Sequence, residues 1–204
     1  IFKINLLVIT LFTSSAHAAT SFVDSFSVSS QETGPTSVTF NNDGTKMFVL
    51  GYSGDDVNEY TLSTGFDVST ASFVDSFSVG AQEIVPQSIA FNNDGTKMFV
   101  MGYVGDDVNE YTLSTGFDVS TATFVDSFSV ATQETSPTSV TFNNDGTKMF
   151  VLGYSGDDVN EYTLSTGFDV STATFVDSFS VATQETSPTS VTFNNDGTKM
   201  FVLG

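Results

Sequence analysis

The amino-acid sequence predicts an all-β fold, a β-propeller of four-stranded antiparallel blades that is incomplete, with about three and a half blades. The first observation is a strict repeat, in which Phe-Val-Asp-Ser-Phe-Ser-Val returns every 51 residues, at Phe22, Phe73, Phe124 and Phe175. The second is that stretches rich in β-branched and aromatic residues recur about every 10 to 15 residues, separated by Gly-containing turns. The third is that no segment has the apolar period of an amphipathic helix. A fixed period of this length is typical of propeller blades.

The repeat also predicts the domain organisation. After a leader at 1–18, one propeller region covers 19–204, and its repeat units are 22–72, 73–123, 124–174 and the partial unit 175–204. When the sequence is divided at the turns before each first strand, the blades are 35–79, 86–130, 137–181 and a fourth that begins at Pro188. An additional strand remains at 22–28, and we expect it to complete the last blade of a closed ring.

Each unit contains four predicted strands, which in the first blade lie at 37–41, 46–52, 56–62 and 72–79. The second strand is apolar at consecutive positions, from Met47 to Leu50, so both of its faces should be buried. The outer strands carry more polar residues, which fits a blade whose last strand faces solvent.

Turn residues separate these strands. The Asn-Asn-Asp-Gly sequence at 41–44 predicts a tight hairpin, because these residue types tolerate the positive φ of such turns. Gly-Asp-Asp at 54–56 closes the next pair of strands, and Ser-Thr-Gly at 63–65 begins a longer link to the fourth strand. These signals favour a four-stranded meander over a β-solenoid, the alternative fold with long repeats.

The first eighteen residues are predicted to be an export signal. Lys3 precedes an apolar run at 4–12, and the small-residue motif Ala16-His17-Ala18 predicts cleavage after Ala18. The run is shorter than the roughly 20 residues that a membrane-spanning helix needs. We therefore expect a secreted, periplasmic or cell-surface protein, with no membrane insertion in this part of the chain.

Composition excludes several classes of function for residues 19–204. This part of the chain has no Cys, Trp, Arg or His, which excludes disulfides and thiolate metal sites. It carries 24 acidic residues against four lysines, a net charge of 4 − 24 = −20. Such a surface repels nucleic acid, so we expect no nucleic-acid partner and leave an unidentified protein or a glycan as the candidate partner.

Acidic residues at the second turn of each blade are candidate metal ligands. They are Asp55, Asp56 and Glu59, with their equivalents Asp106, Asp107, Glu110, Asp157, Asp158 and Glu161. Carboxylates and loop carbonyls are the oxygen ligands that Ca²⁺ prefers, so Ca²⁺ is the one cofactor that the sequence suggests. Glu32 should lie on the same side. The alternative is a solvated acidic loop that keeps an exported protein soluble.

The second repeat unit differs from the others on one predicted face. Ile84, Val85 and Val104 stand there where the third unit has Thr, Ser and Ser. An apolar spot amid acidic residues is a candidate partner-binding surface. Neutral drift among duplicated units explains these differences equally well.

The first hairpin of each unit resembles a known family. Phe-Asn-Asn-Asp-Gly-Thr-Lys-Met-Phe-Val, at Phe40, Phe91, Phe142 and Phe193, is similar to the S-P-D-G-x-x-[LMV]-[YF]-V hairpin of the YVTN-type family of bacterial surface-layer and lactonase-like propellers. The resemblance implies a propeller fold. The chain after residue 18 has none of the His and Arg that a phosphosugar site of the enzymatic members would be expected to use, so no catalytic residue is assigned.

These observations favour an exported, non-enzymatic propeller that binds a partner through its acidic loop face. One alternative is a structural repeat array of a cell-surface or adhesion protein. The other is a lactonase-like or other hydrolase whose active site lies outside these residues. The absence of His after residue 18 and the symmetry of the carboxylates argue against an enzyme here, because a catalytic site needs one asymmetric constellation.

Overall fold

The computed structural model describes residues 21–204. The predicted export signal and its cleavage position after Ala18 lie outside the described residues. Among the residues that the structure describes, no helix is long and apolar enough to cross a membrane.

The described chain forms three complete four-stranded antiparallel sheets and one two-stranded sheet, which follow each other along the sequence. The first blade consists of β1 Pro35–Phe40, β2 Lys46–Gly51, β3 Asp56–Leu62 and β4 Ala71–Ser78. The second consists of β5 Pro86–Phe91, β6 Lys97–Gly102, β7 Asp107–Leu113 and β8 Ala122–Ser129. The third consists of β9 Pro137–Phe142, β10 Lys148–Gly153, β11 Asp158–Leu164 and β12 Ala173–Ser180. The partial fourth blade consists of β13 Ser190–Phe193 and β14 Met200–Leu203.

This architecture confirms the predicted incomplete propeller. The strand order within each complete sheet follows the sequence, which is the predicted meander. The third predicted strand matches β3 at both ends, the second begins at Lys46 as predicted, and the remaining bounds differ by one or two residues. One turn of 3₁₀ helix precedes each outer strand, at Val68–Thr70, Val119–Thr121 and Val170–Thr172.

The hairpin between β1 and β2 shows why the Asn-Asn-Asp-Gly turn ends one strand and begins the next. Asn41 Oδ1 accepts a hydrogen bond from Lys46 N (2.9 Å), and Asp43 Oδ1 accepts one from Thr45 N (3.0 Å). Gly44 has a φ of +70°, which an L side chain rarely adopts. The side chains of the turn therefore satisfy the backbone groups that the strands leave unpaired.

The two largest buried clusters lie between neighbouring blades, and a smaller one lies within the first blade. Phe48 and Leu50 of β2 pack in one buried cluster with Met98 and Val100 of the next blade. A second cluster repeats this arrangement between the second and third blades. The second strand of each blade is therefore covered on both faces, as its uninterrupted apolar sequence predicted.

The segment at 22–28 was predicted to be a strand, but the structure gives it no strand hydrogen bonding. Its position is nevertheless that of an outer strand. Phe26 meets the Tyr60 ring edge-on at 5.6 Å between ring centroids, as Phe77 of β4 meets Tyr111 in the next blade, also at 5.6 Å. Val28 packs against the buried cluster of the first blade. The segment thus covers the first blade as each outer strand covers the blade after it, and its role in closing a ring stays a prediction.

Candidate functional site

One side of the propeller carries the loops between the second and third strands and the loops between blades. Its carboxylates define what we call the acidic face: Glu32, Asp55, Asp56, Glu83, Asp106, Asp107, Glu134, Asp157 and Asp158. The hydrogen bond that Gly54 N donates to Glu32 Oε2 (3.1 Å) joins the two loops of the first blade. The prediction that Glu32 shares a side with the aspartate pair is thus confirmed.

The glutamates of this face are buried, and their carboxylates accept hydrogen bonds from backbone N–H groups. Glu83 is 1% exposed and accepts hydrogen bonds from Val85 N (2.7 Å), Val104 N (3.3 Å) and Gly105 N (2.9 Å). Its side chain crosses the end of β6 at Gly102, where an added Cβ would overlap it. In the first blade, burial opposes ionisation of Glu32, but hydrogen bonds from the loop backbone outweigh it and lower the pKa. These carboxylates hold two loops together and are already occupied by backbone amides.

The first aspartate of each pair is held in an uncommon conformation. Asp55 has a φ of +48°, and the equivalent Asp106 and Asp157 each have 49°. The Asp55 carbonyl accepts a hydrogen bond from Val79 N (2.8 Å), which fixes the end of the outer strand. In all three residues, Oδ1 is buried and has no hydrogen-bond partner within residues 21–204.

The second aspartate of each pair is harder to ionise than usual. Burial raises the pKa of Asp107, a hydrogen bond from Asn109 opposes this, and the charges of Glu83 and Asp106 raise the pKa further. Asp56 and Asp158 shift in the same direction, with burial again the largest cause. A carboxylate whose pKa is raised is a stronger base at neutral pH than an ordinary surface aspartate.

The acidic groups of neighbouring blades also interact. Burial raises the pKa of Asp106, and the charges of Glu134 and Glu83 follow as further causes. Glu83 belongs to the same blade as Asp106, and Glu134 belongs to the next blade. The acidic groups of the second and third blades therefore influence each other electrostatically.

The third candidate ligand of each blade lies elsewhere. Glu59 pairs with Phe48 across β2 and β3, whereas Asp56 pairs with Gly51 at the end of the same ladder. Residues three apart in a strand are about 10 Å apart and point to opposite faces, so sequence proximity does not bring Glu59 to the aspartate pair. Over residues 21–204, no group of three or more His, Cys, Asp or Glu side chains is arranged to hold a metal ion. Ca²⁺ binding by the aspartate pair stays a prediction.

Glu59 instead takes part in a contact between blades. Its Oε1 accepts from Lys46 Nζ (2.7 Å), and its Oε2 accepts from Val119 N of the next blade (3.0 Å). Lys46 Nζ also donates to the carbonyl of Phe117 (2.6 Å). Lys97 and Glu110 make the same contacts with Phe168 and Val170. Lys46 and Lys97, with Glu59 and Glu110, thus join neighbouring blades. These contacts lie near the hairpins between the first and second strands. We call this side the turn face, and its turns are at 41–44, 92–95, 143–146 and 194–197.

The apolar residues that distinguish the second unit do lie together. Val85 N and Val104 N both donate to the Glu83 carboxylate, so the two loops that carry them meet there. Ile84 and Val104 are more than half exposed, at 55% and 56%. In the third blade, the corresponding position carries a hydrogen bond between Ser155 Oγ and Ser136 Oγ (2.9 Å). The spot is therefore placed as predicted, and partner binding by it stays a prediction.

A row of serines was missed in the sequence. The first strands of the blades surround a central cavity of about 350 Å³, lined in part by Ser37, Ser88, Ser139 and Ser190. Ser88 Oγ accepts from Val140 N (3.1 Å), and Ser139 Oγ accepts from Val191 N (3.2 Å). The signal was the recurrence of Ser at one position of each first strand, next to a β-branched apolar residue. These hydroxyls make the centre of the propeller polar.

Comparison with known proteins gives no relative by sequence. No family model matches the chain, and no curated protein matches it.

Solved structures match the chain with the same fold. A Bacteroides uniformis protein provisionally named 6-phosphogluconolactonase matches with a TM-score of 0.60 at 12% identity, over 82% of this chain and 46% of its own. The periplasmic gluconolactonase of Pseudomonas aeruginosa matches with a TM-score of 0.56 at 17% identity, over 82% and 46%. The β-propeller domain of Cps50 from Myceliophteria thermophila matches with a TM-score of 0.54 at 8% identity, over 83% and 50%.

These matches support a lactonase-like β-propeller repeat fold. The chain spans about half the length of the solved structures that it matches. The preferred prediction of a non-enzymatic binding module is wrong by this comparison, because lactonases are among the leading matches and favour the hydrolase alternative.

Proposed function

We propose that this chain is part of a lactonase-like β-propeller hydrolase of the YVTN-type family, with substrate bound at the acidic face beside the central cavity. The observation that carries the proposal is the fold match to a gluconolactonase over 82% of the chain. Since the chain spans about half of that protein, its blades would supply about half of such a ring. The acidic face is the side on which this chain gathers carboxylates with altered pKa values.

The chemistry of lactone hydrolysis fits an aspartate pair. A water oxygen attacks the lactone carbonyl carbon while a base takes a proton from that water. The bond between the carbonyl carbon and the ring oxygen then breaks, and an acid returns a proton to that oxygen, which gives a hydroxy acid. Asp107 is the candidate base, because burial raises the pKa of its carboxyl. Asp106 lies beside it, and two neighbouring carboxyls can divide the acid and base roles.

The charge of this face favours a lactone without phosphate. Residues 21–204 contain no Arg or His, and Lys46, Lys97 and Lys148 pair with glutamates of strands away from the acidic face. A phosphate group would meet the aspartates and glutamates without a cation to bind it, and like charges repel. The preferred substrate class is therefore a neutral sugar lactone.

An exported location supports the same assignment. The predicted signal at 1–18 and the periplasmic gluconolactonase among the structural matches both favour the periplasm. The Pseudomonas aeruginosa enzyme is named for a lactone without phosphate.

The test is a pH-stat assay of the 204-residue chain. The chain is expressed with its own leader and recovered from the periplasmic fraction, and this recovery also tests export. Glucono-δ-lactone and 6-phosphoglucono-δ-lactone are compared, each against its spontaneous hydrolysis in buffer. We expect acceleration of the neutral lactone, with kcat/KM at least about tenfold higher than for the phosphorylated one. No acceleration of either substrate would contradict the hydrolase. A preference for the phosphorylated lactone would contradict only the substrate class.

A further inference from the structure

The outer strands β4, β8 and β12 each have one free edge. Each pairs with the third strand of its own blade, and within the described residues no strand lies on its other side. The fourth strand of a propeller blade lies at the rim, so these edges are free in a closed ring as well. An unpaired edge presents backbone donors and acceptors on which a second strand can add.

Apolar side chains lie exposed on these strands. In β4, Phe73 is 45% exposed and Val74 is 49% exposed. The equivalent residues are 40–50% exposed, and they are Phe124 and Val125 in β8, and Phe175 and Val176 in β12. Aromatic and β-branched residues beside a free edge favour strand pairing between molecules. The rim therefore carries three copies of one surface that is suited to such pairing.

The strand register shows which backbone groups face the free edge of β4. Val79 N donates to the Asp55 carbonyl (2.8 Å), so these residues form a hydrogen-bonded pair at one end of the β3–β4 ladder. In an antiparallel ladder, hydrogen-bonded pairs alternate with pairs that are not hydrogen-bonded. Ser76 and Asn58 form the third pair after that one. The N–H of Ser76 therefore points away from β3, toward the free edge.

One aspartate on each outer strand binds this outward N–H group. Asp75 Oδ1 accepts a hydrogen bond from Ser76 N (2.8 Å). The same contact recurs at 2.8 Å between Asp126 and Ser127 N in β8, and at 2.9 Å between Asp177 and Ser178 N in β12. A donor that an added strand would use is thus already bonded in every complete blade.

The aspartate also gives each edge a negative charge. None of the three outer strands contains Lys or Arg. A symmetric antiparallel pair of two β4 strands, centred on Ser76, would bring the Asp75 residues of the two copies to about 7–8 Å. Like charges at this separation repel, and the loss of water around each carboxylate adds to the cost. Hydrogen bonding and charge therefore both oppose pairing between copies.

We propose that Asp75, Asp126 and Asp177 keep the outer edges from pairing with the outer edges of a second copy of this chain. Each outer strand is eight residues long and is otherwise suited to such pairing. Loss of the aspartates frees the outward N–H groups and removes the repulsion, so that copies join edge to edge. The proposal does not depend on the hydrolase assignment.

The experiment compares the 204-residue chain with the triple variant Asp75→Val, Asp126→Val and Asp177→Val. Valine suits a strand, but it neither accepts a hydrogen bond nor carries a charge. Sedimentation velocity at about 50 µM should give the variant a weight-average mass at least about twice that of the unmodified chain. Hydrogen exchange should show that backbone amides of β4, β8 and β12 become protected in the variant as its concentration rises.

The matched control is the triple variant Ser72→Val, Thr123→Val and Thr174→Val. It adds the same side chain at exposed positions of the same strands and leaves every aspartate in place. The control should associate as the unmodified chain does, and in both proteins the exchange of outer-strand amides should not depend on concentration.

Equal association of the two triple variants would overturn the proposal. Association of the aspartate variant without new protection in the outer strands would also overturn it, because the contact would then lie elsewhere. Concentration-dependent protection of these strands in the unmodified chain would show that the aspartates do not prevent pairing. Since the three aspartates are exposed, their replacement should leave the fold intact, and hydrogen exchange separates edge pairing from general aggregation.

Discussion

Aspartates on the two faces of this propeller have opposite ionisation behaviour. On the turn face, hydrogen bonds from the Thr96 hydroxyl and backbone N–H lower the pKa of Asp94. On the acidic face, burial and neighbouring carboxylates raise the pKa of Asp107. Each complete blade repeats the contrast. The turn face therefore uses its aspartates to build hairpins, whereas burial of the second aspartates on the acidic face favours their protonated form.

The largest expected effect concerns the contacts that join blades near the turn face. Glu110→Ala removes a nearly buried carboxylate that binds both Lys97 and Val170 N. We expect a loss of about 3 kcal/mol in the free energy of unfolding, because a buried donor and a partly buried cation lose their partner. Urea unfolding followed by circular dichroism measures this change.

The matched variant is Glu161→Ala, the same substitution in a pair that is partly exposed. Its cost should be about 0–1 kcal/mol, as for surface ion pairs. Equal losses in the two variants would show that the cross-blade hydrogen bond contributes nothing, and would remove the structural role that we assign to the turn face.

A smaller effect separates the two faces by pH. An aspartate whose pKa is raised in the folded state contributes stability at pH values below 3.8, its ordinary pKa. This contribution is lost as the pH rises through the folded-state pKa. Asp107→Asn should therefore be more stable than the unmodified protein at pH 7, with the difference closing as pH falls below about 4. The change in melting temperature should be under about 4 °C.

The aspartate of the turn face should behave in the opposite way. An aspartate whose pKa is lowered in the folded state contributes stability at pH values above 3.8, its ordinary pKa. This contribution is lost as the pH falls through the folded-state pKa. Asp94→Asn should thus melt below the unmodified protein at pH 7 and approach it in acid. Thermal melts of both variants between pH 3 and pH 7 measure the two trends, and trends of equal sign would contradict the contrast between the faces.

Most of the fold could be predicted from the sequence because the signals are local and repeated. The 51-residue period fixes the unit, and the Asn-Asn-Asp-Gly turn and the apolar run after it fix the hairpin and the buried strand. The segment at 22–28 has the same sequence pattern as the outer strands but gains no strand hydrogen bonds. A strand needs a neighbour, and within the described residues no third strand lies beside it.

The site was less predictable because its contacts cross between loops and blades. Glu59 looked like a partner of Asp55 and Asp56, yet its partners are Lys46 across the sheet and Val119 in the next blade. Such pairings lie 13 and 60 residues away in the sequence. The loop position of Glu32 was predicted, but its burial under backbone amides depends on the approach of two loops, which no local pattern reveals.

The most direct measurement of the central claim, that the acidic face carries lactone hydrolysis, compares two triple variants in the glucono-δ-lactone assay. One replaces Asp56, Asp107 and Asp158 by Asn, and the other makes the same change at the exposed Asp75, Asp126 and Asp177 of the outer strands. We expect a loss of about 100-fold or more in kcat for the first variant, because general bases are removed, and an unchanged rate for the second. Equal rates in the two variants would contradict the claim.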